Sequence, residues 1–409
     1  MKSYPTQISV AEAIAILQAR AKPVQTIALP LLESYGHVLA EDVTALVDHP
    51  SATNSAMDGY ACRLEDTLSA SETTPVRLEL VGDIPAGQSY HHTLGKNQAV
   101  GIYTGASMPK GTDAVVPVEV TRADNNHVIL SKPADPANVR PKGQDFQAGQ
   151  TLLKSGLKLD AASVGLAAAM GHAKLNVRRK PRVGILATGD EVIEPGKPLT
   201  EGHVYNSNTF SIAGLIRAAG ATPIVLPHVR DDRTLLAQAL ENTEQLDLLL
   251  TSGGVSMGKF DFVRDLLFEE GVVYFWKVAM KPAGPVLFGQ WNNLPVLGLP
   301  GNPVSSMIAF LLLVKAFLQT TTGSTEPLPY HSRQPAIAIS DLKGAGTKEH
   351  FPRVRLEFQN NHWQATSTGN QSSGVLSSML LADALAIIPP HTHYQKGDHL
   401  EVIALGEYV

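Results

Sequence analysis

The stretch Arg182-Val183-Gly184-Ile185-Leu186-Ala187-Thr188-Gly189-Asp190 runs five small or apolar residues into a Thr-Gly-Asp turn. The same grammar returns at 222–229 (TPIVLPHV), 246–254 (LDLLLTSGG) and 294–302 (LPVLGLPGN). Continuous apolar runs suit strands covered on both faces, and the segments between them, NTFSIAGLIRAAG and DRTLLAQALENTEQ, carry the spacing of crossover helices. The pattern predicts a parallel α/β sheet, in which ligands bind beyond the carboxyl ends of the strands. Each run ends in a turn with groups able to meet a ligand.

Outward from this centre the texture changes. Ser9 followed by Glu12 has capping-box spacing, and Val10, Ala13, Ile14 and Leu17 recur at helical intervals, so a short amphipathic helix opens the chain. From about Val43 to Arg140, short β-like runs (RLELVG, AVGIYTG, DAVVPVEV, HVILSKP) alternate with Gly, Pro and Asn turns, as in a small all-β module. Residues 149–171 return to small residues and helical periodicity, as an insertion into a discontinuous domain would require. After Glu326, alternating runs (AIAIS, VRLEF, ALAIIP, EVIAL) read as a further β domain. The predicted division is 1–44 with 142–179, an inserted 45–141, an α/β unit 180–326 and a tail 327–409.

With 409 residues the chain exceeds one ordinary core. A net charge of -5 argues against a broad basic face for nucleic acid, though not against a local cationic pocket. The single cysteine, Cys62, excludes an intramolecular disulfide and reads as a small buried hydrophobe. No apolar leader and no membrane-length apolar run are legible, so the expected location is the cytoplasm.

Several turns carry chemistry. Thr188 and Gly189 offer hydroxyl and N–H donors, and Asp190 and Glu191 could hold a hard cation. Gly253 and Gly254, in the run 251–258 that includes Ser256, would let the backbone approach an anion. Asp261 then faces that anion across an intervening cation, or else caps the following helix. Lys277 and Lys281 fall four apart and would share one face if their run is a strand, which suits a polyanion. Asn302 and Pro303 read as the start of a helix. Asp58 and Thr104 lie in turn-like segments of the inserted module.

In this order, NSAMDGYA, IYTGASMPKGTDAVVPVE, RPKGQDFQAGQ, VGILATGDEV, YNSNTF, TSGGVSMGKFDF, WKVAMKPAGP and GLPGNPVSS resemble the MoeA family and the E domain of gephyrin. The resemblance implies four domains: an elongated first one, an inserted β domain, a MogA-like parallel α/β domain and a C-terminal β-barrel. It implies insertion of molybdate into adenylyl-molybdopterin with Mg²⁺-dependent release of AMP, by a homodimer whose cleft is shared between subunits. It also implies dealings with a MogA-like adenylyltransferase and with molybdoenzyme apoproteins. Carried over by motif, Glu191, Asp231 and Asp261 are the catalytic acids, with Asp190, Glu191 and Asp261 toward the metal. Thr188, Gly253, Gly254, Ser256, Pro300, Pro303 and Ser305 would line the substrate site. Lys277, Lys281, Arg353 and Ser372 would hold molybdate or phosphate, and Asp58 and Thr104 would come from the partner subunit.

The chain departs from the family where KPGKP is usual: Lys281-Pro282-Ala283-Gly284-Pro285 lacks the second lysine. Weaker oxyanion capture is expected unless Arg353 compensates through its planar fork. Two smaller departures are Gly143-Gln144-Asp145, where the family has GED, and Gln371-Ser372-Ser373-Gly374, where a second glycine often follows Gln. Rival readings are a pterin adenylyltransferase, a paralogue handling another oxyanion, and a non-catalytic scaffold.

Overall fold

The computed structural model describes residues 4–241, 243, 245–254 and 262–406. Its centre is a seven-stranded sheet of β1 (Thr6–Ile8), β2 (Arg182–Ala187), β3 (Thr222–Val225), β4 (Leu248–Ser252), β5 (Val272–Val278), β6 (Leu287–Trp291) and β7 (Leu294–Leu299). The order is β1-β5-β6-β7-β4-β2-β3, parallel except for β6, which runs antiparallel to both neighbours. Each residue of β4 is buried, as its unbroken apolar run predicts.

The opening helix, Val10–Arg20, carries its capping box: Ser9 Oγ accepts from Glu12 N at 3.2 Å, and Glu12 Oε2 accepts from Ser9 N at 2.8 Å. Its destination corrects the expected division. Thr6–Ile8 adds a strand to the α/β sheet, and Val10, Ala13, Ile14 and Leu17 are buried in that sheet's core. An apolar stripe needs a cover, and here it packs on the long helical stretch Pro303–Thr322. The elongated domain therefore begins beyond this helix, where Thr26–Pro30 pairs with Lys174–Arg178. Its two pieces share one core, in which Leu39, Val43 and Ala45 meet Phe146, Leu153 and Met170.

Between those pieces sits a six-stranded sheet covered on both faces by apolar clusters, one containing Cys62 and Leu78, the other Ile84 and Val100. Cys62 is fully buried, and burial, followed by Asp113 and Asp66, pushes its thiol up to about 12. The tail closes a five-stranded barrel over small interior residues, among them Ala336, Ala338, Ala365, Ala384 and Ala386.

One reading of the sequence needs revision. Pro303–Thr322 is a continuous 20-residue helical stretch, apolar and long enough to cross a membrane, with a π-helical turn at Phe310–Val314. In its most apolar window 83% is buried inside the fold, so protein already covers its apolar surface. It is the central helix of the largest core.

Barrel and sheet are joined by backbone. Met280–Lys281 pairs in parallel with Glu349–His350, extended by Glu349 N to Ala279 O at 2.9 Å and Phe351 N to Lys281 O at 2.8 Å. A second contact runs from Val304 N, in the first turn of the long helix, to Ser373 O at 3.2 Å.

Candidate active site

A cleft of about 560 Å³ opens at the carboxyl ends of β2, β4 and β7, and Gly374 of the barrel domain closes one side. The sequence-predicted Thr188, Glu191, Gly253 and Pro303 line it. So do Asn206 and Asn208, which sequence reasoning did not single out although the quoted YNSNTF contains both. Asn208 Nδ2 donates to Ser252 Oγ and to Gly301 O, each at 2.7 Å, tying the end of β4 to the loop after β7. Asn206 Oδ1 accepts from Thr209 N at 3.2 Å, fixing the first turn of the helix Asn208–Ala218.

The floor has unspent polar capacity. Thr188 Oγ1 and Thr251 Oγ1 are buried with no hydrogen-bond partner among the described residues. Buried hydroxyls are ordinarily paired, so the orphaned Thr188 hydroxyl in the cleft lining marks a place for a polar ligand, whereas Thr251 is fully buried outside that lining. Gly189 has φ +124°, a conformation that residues with a Cβ rarely adopt, and the Glu191 carboxylate end sits over the space a Cβ would fill. His228 Nε2 lies 2.9 Å from Gly189 O and steadies the turn.

The acids divide by environment. Asp190, expected at a metal, accepts instead from Arg230 Nε at 3.2 Å and Asp231 N at 3.4 Å. Burial, and then the carboxylates of Glu191 and Asp190, raise the Asp231 carboxyl above its usual range against the opposing Asp190 bond and His228. Among the described residues no three His, Cys, Asp or Glu side chains gather as a metal cage. Asp261 and Ser256 lie outside the described residues. The raised Asp231 predicts a stability effect. The folded state holds this proton to higher pH than the unfolded chain, so stability falls as pH rises between the two values and stays reduced above them. Asp231→Asn should raise the melting temperature at neutral pH and leave it unchanged well below the carboxylate range. Equal melting curves at both pH values would contradict this.

The expected sharing of one strand face by Lys277 and Lys281 is not found. β5 ends at Val278, Lys277 has φ +70°, and Lys281 belongs to the separate pairing with the barrel. Lys277 Nζ sits 4.1 Å from the centre of the Trp276 ring and lines a groove of about 230 Å³ with Gln7, Gly284 and Lys348. Lys348 was missed. Its Nζ lies 3.8 Å from where a Cβ at Gly284 would stand, so the barrel supplies an ammonium over the position lacking the usual lysine. It has no ion-pair partner among the described residues.

Arg353 also requires correction. The residue is 1% exposed and is absent from the lining of both the cleft and the Lys277 groove. Its Nε donates to Ser378 Oγ at 2.9 Å, and its terminal nitrogens donate to the carbonyls of Asn370, Gln371 and Ser372 at 3.2, 3.3 and 3.0 Å. It holds the 370–374 loop rather than an oxyanion, and it holds Ser372 by its carbonyl. Pro300 and Ser305 are buried too: the Pro300 carbonyl accepts from Ser306 Oγ, and Ser305 is 4% exposed. Pro303 stands at the first helical position after Asn302, whose side chain makes no capping bond.

On the inserted module Asp58 Oδ1 accepts from both the N–H and the hydroxyl of Thr104, each at 2.7 Å, which lowers the Asp58 carboxyl. The pair forms one exposed unit, and the residues lining the cleft come from 187–208, 252–303 and 374 only.

Residues 8–171 match the family model described as the MoeA N-terminal region (domain I and II), 184–320 that of a probable molybdopterin binding domain, and 335–405 that of the MoeA C-terminal region (domain IV). A molybdopterin molybdenumtransferase 2 of Mycobacterium tuberculosis is 36% identical over 389 residues, covering 93% of this chain and 95% of its own. A molybdopterin molybdenumtransferase of Bacillus subtilis is 34% identical, covering 98% and 95%. A solved molybdopterin biosynthesis MoeA protein from Pyrococcus horikoshii superposes with a TM-score of 0.81 at 28% identity, covering 97% of this chain and 99% of that one.

Proposed function

The chain belongs to the MoeA family of molybdenum cofactor biosynthesis enzymes, and we propose that its cleft transfers molybdate onto adenylyl-molybdopterin with release of AMP. The observation that carries this reading is the cleft itself. The unpartnered Thr188 hydroxyl and the left-handed Gly253 lie at parallel strand ends and line it, where a phosphorylated ligand is well served. Lys277 and Lys348 line a cationic groove at the same domain junction and suit the second anion, molybdate.

Mg²⁺ fits this site. Burial chiefly, and then the carboxylates of Glu191 and Asp190, raise the Asp231 carboxyl, and a divalent cation would relieve the carboxylate share of that shift. Glu191 and Asp231 would hold it together with substrate phosphates, since Mg²⁺ uses few protein carboxylates where phosphates bind. When bound it would supply charge neutralisation at the phosphates. The protein's own share is positioning: Asn208 clamps the strand-end loops, Thr188 donates or accepts at the floor, and the lysines fix the oxyanion. We read the active form as a cytoplasmic homodimer in which Asp58 and Thr104 complete the partner's cleft. The support is that this pair is exposed and absent from the cleft of its own chain.

The test incubates purified protein with adenylyl-molybdopterin, Mg²⁺ and molybdate and follows AMP. Lys348→Ala should raise the molybdate concentration for half-maximal turnover about tenfold, the equivalent of ~1.4 kcal/mol, and change saturated turnover little. Gly284→Lys should help little in the wild type but restore capture in the Lys348→Ala background. No molybdate-dependent AMP release would refute the function, whereas an unaltered half-saturation in Lys348→Ala would remove only Lys348 from it.

A further inference from the structure

The N-terminal strand brings a further residue to the Lys277 and Lys348 groove. Ten non-glycine residues among the described ones have a positive φ, and six of them are Asn, which tolerates that backbone in turns. The other four are Gln7 at +54°, Lys277 at +70°, Ala283 at +73° and His391 at +59°. Gln7 and Lys277 both line the groove, and Ala283 precedes Gly284 in its lining. Only His391 lies elsewhere, in a barrel turn where its N–H donates to Gly346 O at 2.7 Å. A left-handed backbone is unfavourable for a residue with a Cβ, and such residues gather where a ligand is held.

Gln7 and Lys277 break their strands at the same level. β1 and β5 run in parallel with Thr6 opposite Trp276 and Ile8 opposite Val278, which leaves Gln7 beside Lys277. At the break the β5 backbone turns to the loop before β6: Lys277 N donates to Val286 O and Val278 N to Gly284 O, each at 2.8 Å. The same turn therefore fixes Gly284, the position that the Lys348 ammonium overhangs. Two simpler accounts explain parts of this. β1 is the edge of the sheet, and an irregular edge discourages pairing with another chain. That covers Gln7 but not Lys277, which lies one strand further in. The contact of Lys277 Nζ with the Trp276 ring covers Lys277 but not Gln7. Neither explains why the two breaks coincide at a groove whose polar side chains are Gln7, Lys277 and Lys348, with no carboxylate among the described residues of its lining.

We propose that Gln7 is the third oxyanion ligand of this groove, its carboxamide N–H donating to a molybdate oxygen while Lys277 and Lys348 meet the charge. This role rests on the reading of the groove as the molybdate site and adds the N-terminal strand to it. An amide suits the place. Molybdate carries no proton to donate, so each polar group around it must supply one. An amide N–H does so without adding a charge whose desolvation must be offset. Glycine at position 7 would relax the backbone, yet the chain keeps a long carboxamide there.

Sodium molybdate titrated into the purified full chain by calorimetry, at fixed ionic strength, reads affinity without turnover. Gln7→Gly removes the carboxamide and suits the left-handed backbone. It should raise the melting temperature yet weaken molybdate binding at least about fivefold, the effect of one lost hydrogen bond to a charged ligand. Gln7→Glu keeps the shape but sets a carboxylate against the dianion, and should weaken binding further. Lys348→Ala serves as the control for the groove itself. If Lys348→Ala weakens binding and Gln7→Gly binds as wild type does, the role of Gln7 falls alone. Equal or tighter binding by Gln7→Glu would have the same consequence. Weaker binding by Gln7→Gly with a lower melting temperature would trace the loss to a disrupted strand and overturn the carboxamide's role. If wild type and Lys348→Ala bind molybdate alike, or neither binds it, the groove is not the molybdate site and both readings fall together.

Discussion

Asp58→Asn and Asp231→Asn homodimers should each lose AMP release by at least about a hundredfold, the scale of one lost electrostatic contact in a preorganised site. A purified heterodimer of the two should recover about half the wild-type rate. The expectation follows from symmetry. In a shared-site dimer, one cleft combines both substitutions and the other contains neither. If each chain builds its own cleft, both clefts carry a substitution and no activity returns. Asp58→Asn suits the experiment because the Asn carbonyl oxygen can still accept the two Thr104 bonds that shape the turn, so the charge is removed with little change of structure. Asp231→Asn should be folded and, by the pH argument above, somewhat more stable than wild type. A heterodimer as inactive as its parents would refute the shared cleft while leaving the family assignment intact.

What the sequence made legible was whatever depends on local pattern. The runs at 182–190 and 246–254 announced buried parallel strands because their residues are apolar on both faces, and Ser9 with Glu12 announced a helix start. The fate of Val10–Arg20 was not legible, because the pattern says that a stripe must be covered and not which domain covers it. Lys277 and Lys281 misled for a related reason. The shared-face argument assumed uninterrupted strand geometry, and a left-handed backbone at Lys277, uncommon for a residue with a Cβ, breaks it. Lys348 carried no local signal. It reaches Gly284 only because the 279–281 and 349–351 segments, far apart in sequence, form a backbone ladder that docks the barrel. The departure from the family motif at Gly284 was visible in the sequence, and its apparent remedy was visible only in three dimensions.

Arg353 yields the largest expected change in stability. Arginine was a reasonable choice for an oxyanion ligand, yet this one is buried and its guanidinium already makes four bonds, three of them to consecutive carbonyls of the 370–372 segment. Burial lowers its guanidinium from the usual value, and no carboxylate partner is present among the described residues to offset the cost. The carbonyl array does that work, so removing the side chain strands three acceptors and a hydroxyl. Arg353→Met should therefore destabilise the barrel by ~4 kcal/mol, the range found when buried charged donors are lost. Arg353→Lys should rescue little, because one ammonium cannot reach carbonyls spread across a planar fork. The loop so held also accepts from Val304 N through Ser373 O and brings Gly374 to the cleft. Activity should fall with stability, and extra molybdate should not restore it. Hydrogen exchange separates the two roles: loss of protection over 370–375 and the barrel strands marks a positioning residue. Full protection together with a raised molybdate requirement would make Arg353 the direct ligand after all.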